Sequence, residues 1–370
     1  MGLKRVNSML RTNDLTERQL ENSKLNFKEI EEGATVLKSA PRRLIFEVTN
    51  RCNYKCIMCG RNFDDFNFSD LDFSVIKQFE PLYNVIEEVT LFGWGESMLN
   101  PQFDQIIEYL GTFPHLRKFL LSNASQPKKL MEYVDKGLID ILSISMDGAK
   151  AETLERIRVG AKMSRIEETV KGVMKKAKDG RPYVNLVFLL FNSNIHELPE
   201  MVRICSDWGV PELKVIYLTA FDNTLADETM WRNDGTYLEH FAKAQEEADR
   251  LGVNLRLPDE IGKCSAGDEP HKPCDTMWKD LFISCDLDIR PCMSTDDHLT
   301  NLSEHKIESL EDFFAMWNSE PFTAFRGAVN DERKMSKACR FCYQCSYANW
   351  NKKYAHIAMD FHAPFSGDKE

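Results

Sequence analysis

The feature that most constrains this chain is the stretch Leu44–Gly60, where Cys52, Cys56 and Cys59 follow an apolar, β-branched run at C-x3-C-x2-C spacing. Three thiols on one short loop restrict the chemistry. A structural zinc site prefers paired C-x2-C knuckles that together supply four ligands, and a dithiol redox pair needs only C-x2-C. An iron–sulfur cube takes soft cysteine ligands and, held by three of them, keeps one iron without a protein ligand. That iron is open to a chelating small molecule. The run Leu44–Val48 reads as a strand, so the three thiols stand just beyond its C-terminal end.

Length and charge narrow the class. The chain has 370 residues, more than one average domain and enough for a barrel with an appendage. Its 47 basic and 58 acidic residues give a net charge of −11, which argues against a general nucleic-acid binder. No apolar run reaches the ~20 residues that span a bilayer, and the N-terminus lacks the apolar core of a signal peptide. The expectation is a cytoplasmic protein with neither a membrane nor a nucleic-acid partner. Eleven cysteines in that compartment are not a disulfide framework. Three fall at 52–59, one at 205 and seven between 264 and 345, which points to metal at two places.

Between Arg42 and Leu218 strand and helix patterns alternate. Strands are predicted at Leu44–Val48, Glu88–Phe92, Lys118–Ser122, Ile139–Ser145, Val184–Leu190 and Leu213–Leu218. Phe103, Ile106, Ile107 and Leu110 share one helical face. Ser164 and Glu167 form a candidate capping box ahead of the stripe Ile166, Val170, Val173, Met174. Helices over 196–208 and 236–251 end at Gly209 and Gly252, and Cys205 falls on an apolar stripe as a buried thiol. Residues 1–41, polar with scattered leucines, read as a helical and linker segment packed on the strand–helix region or capping it. Six strands alternating with helices predict a parallel sheet, and pattern alone leaves an open sheet and a barrel unresolved.

The strand ends carry further polar groups. After the second strand comes Gly93-Trp94-Gly95-Glu96-Ser97; the third ends Ser122-Asn123, the fourth Ser145-Met146-Asp147-Gly148. Glycine lets backbone approach a ligand, and a carboxylate can accept from an ammonium. With the cysteine loop, these residues resemble the radical S-adenosylmethionine (SAM) superfamily. The resemblance implies a partial (β/α)6 TIM-like barrel over 42–252, with chemistry at the C-terminal strand ends. It implies that the iron left open at Cys52, Cys56 and Cys59 binds SAM, with Met58 against the adenine. Gly93, Gly95 and Glu96 would hold the SAM amine, although Ser97 replaces the family's usual proline. Ser122 and Asn123 would belong to the SAM-binding set, Ser145 and Asp147 would sit near the ribose and carboxylate, and Arg158, favoured over Arg156, would pair with the carboxylate. Asn123 is equally a turn residue.

Beyond residue 252 the composition shifts to Cys, Trp, Asp and Pro. Two short strands around a turn at Asp286–Asp288 would form a hairpin carrying Cys274 and Cys292, a helix would run through Leu310–Trp317, and Cys339, Cys342 and Cys345 lie downstream. This set resembles the SPASM and twitch extensions that hold auxiliary 4Fe–4S clusters, which implies an extension over 253–350 and a tail over 351–370. Leu287 stands where the family's hairpin usually has glycine. The resemblance implies at least one auxiliary cube held by Cys274, Cys292, Cys339 and Cys342 or Cys345, as in the twitch form; a zinc ribbon in the same residues stays open. Cys285 reads as core, and Cys264 has no assigned role.

The resemblance therefore implies reductive SAM cleavage to methionine and a 5′-deoxyadenosyl radical that abstracts a substrate hydrogen. It also implies a flavodoxin- or ferredoxin-type electron donor. The single-cluster count favours an oxidoreductase that oxidises or epimerises a hydroxylated small molecule of the sugar or aminocyclitol type. Radical modification of a ribosomally synthesised peptide is the alternative. A non-catalytic electron-transfer protein is the alternative of another class, and Gly95, Glu96 and the 145–148 strand end argue against it, since electron transfer needs no SAM pocket.

Overall fold

The computed structural model describes residues 15–62, 67–220, 223–230, 233, 235–258, 274–292, 297–331, 333–336 and 339. Its frame is a single ten-stranded sheet built from β1 (Arg43–Phe46), β2 (Glu88–Leu91), β3 (Arg117–Ser122), β4 (Ile141–Ser145), β5 (Tyr183–Leu190), β6 (Glu212–Tyr217), β7 (Asn254–Arg256), β8 (Asp280–Ile283), β9 (Asp288–Arg290) and β10 (Thr300–Asn301). The spatial order is β10-β9-β8-β1-β2-β3-β4-β5-β6-β7, parallel from β8 to β7. Strands β1 to β7 therefore lie in strict sequence order. Right-handed crossovers between successive neighbours place every connecting helix on the same face, and the other face curls into a lumen. The result is a partial TIM-like barrel.

The six predicted strands stand within two residues of their expected bounds. A seventh, β7, is only three residues long and carries no alternation to read. The helices between the strands are α2 (Phe73–Gln78), α3 (Phe103–Gly111), α4 (Pro127–Asp135), α5 (Ala151–Ile157), α6 (Met163–Lys176), α7 (Leu198–Trp208) and α8 (Tyr237–Leu251). Their apolar stripes meet the outward side chains of the strands, such as Leu44, Phe46, Leu213 and Val215, in one core. Gly209 and Gly252 close α7 and α8 in the left-handed conformation, and Cys205 is fully buried. The capping box at Ser164 and Glu167 does not form. Helix α6 starts at Met163, two residues before a Ser164 cap would place it, and the Met163 N–H donates to Glu155 Oε1 at 3.3 Å, so Ser164 already lies inside the first turn.

The C-terminal extension joins the barrel edge to edge. Strand β8 pairs parallel with β1, Arg43 opposite Asp280, and β9 returns antiparallel as the expected hairpin. Leu287 adopts φ +68°, the left-handed conformation that glycine takes freely, so the turn keeps its geometry without the glycine. Ser284 Oγ accepts from the N–H of Asp288 at 3.0 Å and braces it. A short helix α9 (Thr276–Lys279) precedes the hairpin, and α10 (Leu310–Trp317) and α11 (Glu320–Ala328) follow β10.

Helix α1 (Glu17–Glu31) closes the opposite end of the barrel, and it docks by its polar face. Its buried residues are Gln19, Asn22, Ser23, Asn26 and Glu29, one helical stripe. Gln19 Nε2 donates to the carbonyl of Ile86 at 2.6 Å, Ser23 to Glu87, and Asn26 Nδ2 to Ser39 Oγ at 2.9 Å and the Trp278 carbonyl at 2.8 Å. These partners belong to the segments that lead into β1, β2 and β8. The bonds to the Ile86 and Trp278 carbonyls satisfy backbone groups that burial would otherwise leave unpaired, while Glu87 is shared with Arg42 and Arg117. Asn26→Ala should thus lower unfolding free energy by about 1–3 kcal/mol in denaturant titration, because the Trp278 carbonyl loses its donor; an unchanged midpoint would show that α1 is dispensable there.

Candidate active site

The C-terminal strand ends converge on a cavity of about 250 Å³ lined by Cys52, Cys56 and Cys59 from the loop after β1. Two backbone contacts hold that loop. Lys55–Cys56 pairs antiparallel with Arg158–Val159, and Glu96 N–H donates to the Arg51 carbonyl at 2.8 Å. The glycine turn packs directly on it: a Cβ on Gly95 would stand 2.3 Å from the Thr49 carbonyl oxygen and 2.5 Å from that of Arg51. Gly95 is thus required by the close approach of two backbones, independent of its φ angle.

Polar groups from successive strand ends face the same cavity. Glu96 is 2% exposed; its Oε1 accepts from Ser122 Oγ at 2.9 Å and its Oε2 from the Asn123 N–H at 2.7 Å. Burial pushes its carboxyl up to about 7, with the Asn123 and Ser122 bonds opposing. A carboxyl whose folded pKa exceeds its unfolded value stabilises the fold below the unfolded pKa and loses that contribution as pH rises through the folded one. The ligand-free protein should therefore lose about 3 kcal/mol between pH ~4.5 and ~7 from this group. Glu96→Gln should flatten that part of the stability profile in denaturant titrations, and a profile of unchanged slope would assign the loss elsewhere.

Asn123 is a turn residue that also reaches the cysteine loop. Its Oδ1 accepts from the Ser125 N–H at 2.9 Å, as a turn residue would, while its Nδ2 donates to Cys52 Sγ at 3.6 Å. Ser145 and Met58 also line the cavity, as do Gly93 and Arg158. Arg158 Nε lies 2.7 Å from Asp147 Oδ2, and its Nη1 reaches Cys56 Sγ at 3.9 Å. Asp147 is fully buried behind Arg158, accepts from the Leu189 N–H at 2.9 Å, and does not line the cavity; it orients the guanidinium instead. Arg156 points to the surface and bonds Ser193.

Arg61, Trp94 and Glu47 are among the site residues that sequence reasoning missed. Arg61 and Trp94 line the cavity, and Arg61 Nη2 donates to the Tyr54 carbonyl at 2.7 Å. Glu47, 4% exposed, accepts from the Trp94 N–H at 2.7 Å and lies 3.5 Å from both the N–H and Sγ of Cys285. It ties the glycine turn to the extension's hairpin, and burial raises its carboxyl pKa, with the Trp94 bond opposing. A lone glutamate on the lumen-facing parity of an apolar strand was the available signal. Cys285 itself is buried, in keeping with a core thiol.

The donor set fits an iron–sulfur cube. Three thiols line one cavity and two of them receive hydrogen bonds at sulfur, the outer contact by which proteins tune such clusters. Burial pushes the Cys56 thiol up to about 11 against the pull of Arg158, and bound metal converts such thiols to thiolates. In the extension, Cys274 stands before α9 with its N–H donating to Asn330 Oδ1 at 2.8 Å, Cys292 follows β9, and Cys339 packs against the core. Cys264, Cys342 and Cys345 lie outside the described residues. No helix among the described residues is long and apolar enough to cross a membrane.

Both centres have counterparts in known protein families. The model of the radical SAM superfamily matches residues 46–205, and that of the SPASM iron–sulfur cluster-binding domain matches residues 274–346. The chain is 22% identical over 74% of its length to a probable GTP 3′,8-cyclase of Methanocaldococcus jannaschii, covering 92% of that protein. It is 23% identical over 83% of its length to the PqqA peptide cyclase of Gluconobacter oxydans, covering 84% of that one. Its fold resembles Streptococcus suis SuiB bound to precursor peptide SuiA, with a TM-score of 0.60, 15% identity, and coverage of 89% of this chain and 74% of that one.

Proposed function

Since the chain belongs to the radical SAM superfamily and carries a SPASM iron–sulfur extension, we propose that it uses SAM-derived radical chemistry to modify a ribosomally synthesised peptide. Cys52, Cys56 and Cys59 hold the SAM-binding 4Fe–4S cluster. When bound, that cluster supplies one electron to SAM, whose cleavage yields methionine and the 5′-deoxyadenosyl radical that takes a substrate hydrogen. The chain's own groups bind and orient. Glu96 and the backbone of Gly93 and Gly95 hold the SAM ammonium, and Arg158, aimed by Asp147, holds the carboxylate. Ser122 and Asn123 fix Glu96 and the cysteine loop, Ser145 faces the ribose, and Met58 packs on the adenine. Cys274, Cys292, Cys339, Cys342 and Cys345 hold the auxiliary iron–sulfur centre, and a flavodoxin- or ferredoxin-type protein donates electrons.

The observation that carries this reading is the single cavity where three thiols, a buried carboxylate and a guanidinium meet. Peptide takes precedence over a sugar or aminocyclitol because the PqqA peptide cyclase is among the similar proteins and SuiB is seen bound to a precursor peptide. Arg158→Ala should weaken SAM binding by about 1.5–3 kcal/mol in equilibrium titration with iron content unchanged. Unaltered affinity would remove Arg158 from the pocket. The substrate class is tested by coexpression with the short open reading frames beside the gene. A mass change in one peptide that disappears in a Cys52→Ala variant supports the proposal; unmodified peptides beside turnover of a sugar would overturn it.

A further inference from the structure

The lumen below the cavity is lined by charge, and nearly all of it is paired. Arg43 meets Asp280 through two bonds, at 2.6 and 2.9 Å, and Arg117 Nε stands 3.5 Å from Glu88. Glu212, fully buried at the start of β6, accepts from Tyr183, Asn254 and Arg256 at 2.7–3.0 Å. Lys214, two residues further along β6, has no hydrogen bond or ion pair among the described residues.

Three observations place its ammonium in the lumen. Leu213 and Val215, on the opposite parity of β6, are packed in the core against the helices. The charges that act on Lys214 are those of Arg256, Glu212 and Arg43. Arg43 lies on β1, five strands away along the sheet, so its field reaches Lys214 only across the barrel. Lys214 is itself half-buried, where Leu213 and Val215 beside it are buried. Burial, with Arg256 adding repulsion, pushes its pKa down to about 8.

The register then sets its height. Ser145 pairs with Val187, Val187 with Lys214, and Lys214 with Arg256, so Lys214 shares a pleat row with the cavity-lining Ser145. Two strand spacings of ~4.8 Å separate them, about 10 Å along the wall. A cation without a partner among the described residues, at the level of the reaction cavity and in a wall whose other described charges are neutralised, is a binding group for an anion.

We propose that Lys214 anchors a carboxylate of the substrate, an acidic side chain or C-terminus of a peptide, beside the SAM cavity. A single surplus positive charge matches a monoanion. A phosphate dianion would draw on further cations, and Arg43 and Arg256 are held by carboxylates of their own. This inference rests on the peptide reading above, and its test uses neither SAM cleavage nor product. Iron-loaded enzyme is pulsed with acetic anhydride over a range of pH, and acetylation at each lysine is read by mass spectrometry, with exposed Lys306 as internal reference. Lys214 should react with a midpoint near pH 8. The monoanion N-acetyl-glutamate α-methylamide at about four times its dissociation constant should slow the reaction roughly fivefold. The neutral N-acetyl-glutamine α-methylamide should leave the rate unchanged. A Lys214→Met variant, which keeps the apolar stem, should lose calorimetric binding of N-acetyl-glutamate α-methylamide. Equal protection by the neutral amide, protection by inorganic phosphate alone, or none from any probe would overturn the assignment. An enzyme that binds the carboxylate yet forms no 5′-deoxyadenosine would leave this anchor standing and sink the radical reading instead.

Discussion

Replacing Cys52, Cys56 and Cys59 together with alanine is expected to abolish 5′-deoxyadenosine formation from SAM while about half of the iron or more stays with the chain. The reasoning begins with the loop itself. Its three thiols line one cavity beneath donors from Asn123 and Arg158, and no other described cysteine lines that cavity. Removing all three ligands removes the cluster whose open iron SAM would chelate. The extension is built on separate strands and helices, so its own cube remains, and two cubes per chain carry about eight irons. Iron analysis and chromatography after anaerobic reconstitution read both quantities. A variant nearly free of iron, with zinc bound instead, would mean that Cys274, Cys292 and the 339–345 group form a zinc ribbon.

Gly95→Ala is expected to cost nearly as much function with a single methyl group. The added Cβ would meet the Thr49 and Arg51 carbonyl oxygens at 2.3 and 2.5 Å, distances no Cβ sustains. Those atoms are backbone, so relief requires the cysteine loop and the glycine turn to separate. Overpacking of this kind costs about 1–3 kcal/mol. Here the displaced segments carry both Cys52 and Glu96, so the loss falls on SAM affinity, which should drop roughly 10- to 100-fold. Gly33→Ala is the control: nothing lies within 4 Å of its Cβ, and its φ of +62° confines the cost to local backbone strain. Equal SAM affinity in the Gly95 variant and the wild type would show that the two loops are free to part.

Much of this architecture is legible in the sequence because the physics that built it is periodic. The strands β1 to β6 bury one row of apolar side chains under helices, and that row shows as β-branched runs at the correct places. The cysteine loop and the glycine turn are legible because few residue types do their chemistry. Other features obey a different pattern. Helix α1 buries Gln19, Asn22, Ser23, Asn26 and Glu29, a stripe that hydrophobic periodicity reads as solvent-facing, while Leu20 is exposed and Leu25 half-buried. The lumen inverts the usual rule as well, so Glu47, Arg43, Glu212 and Lys214 look like surface charges on a strand until the sheet closes. Asp147 shows a further limit. Its strand-end position suggested direct contact with the cofactor, but only the side-chain geometry separates a residue in the cavity from the one behind it that aims Arg158.

The central claim is that the cavity bounded by the cysteine loop, Glu96 and Arg158 binds SAM and directs its reductive cleavage. The most direct test is product analysis of wild-type enzyme, fully loaded with iron under anaerobic conditions, reduced with dithionite and supplied with SAM. Methionine and 5′-deoxyadenosine formed in equal amounts, absent without reductant, is the predicted result; a fully loaded, reduced enzyme that leaves SAM intact would contradict it.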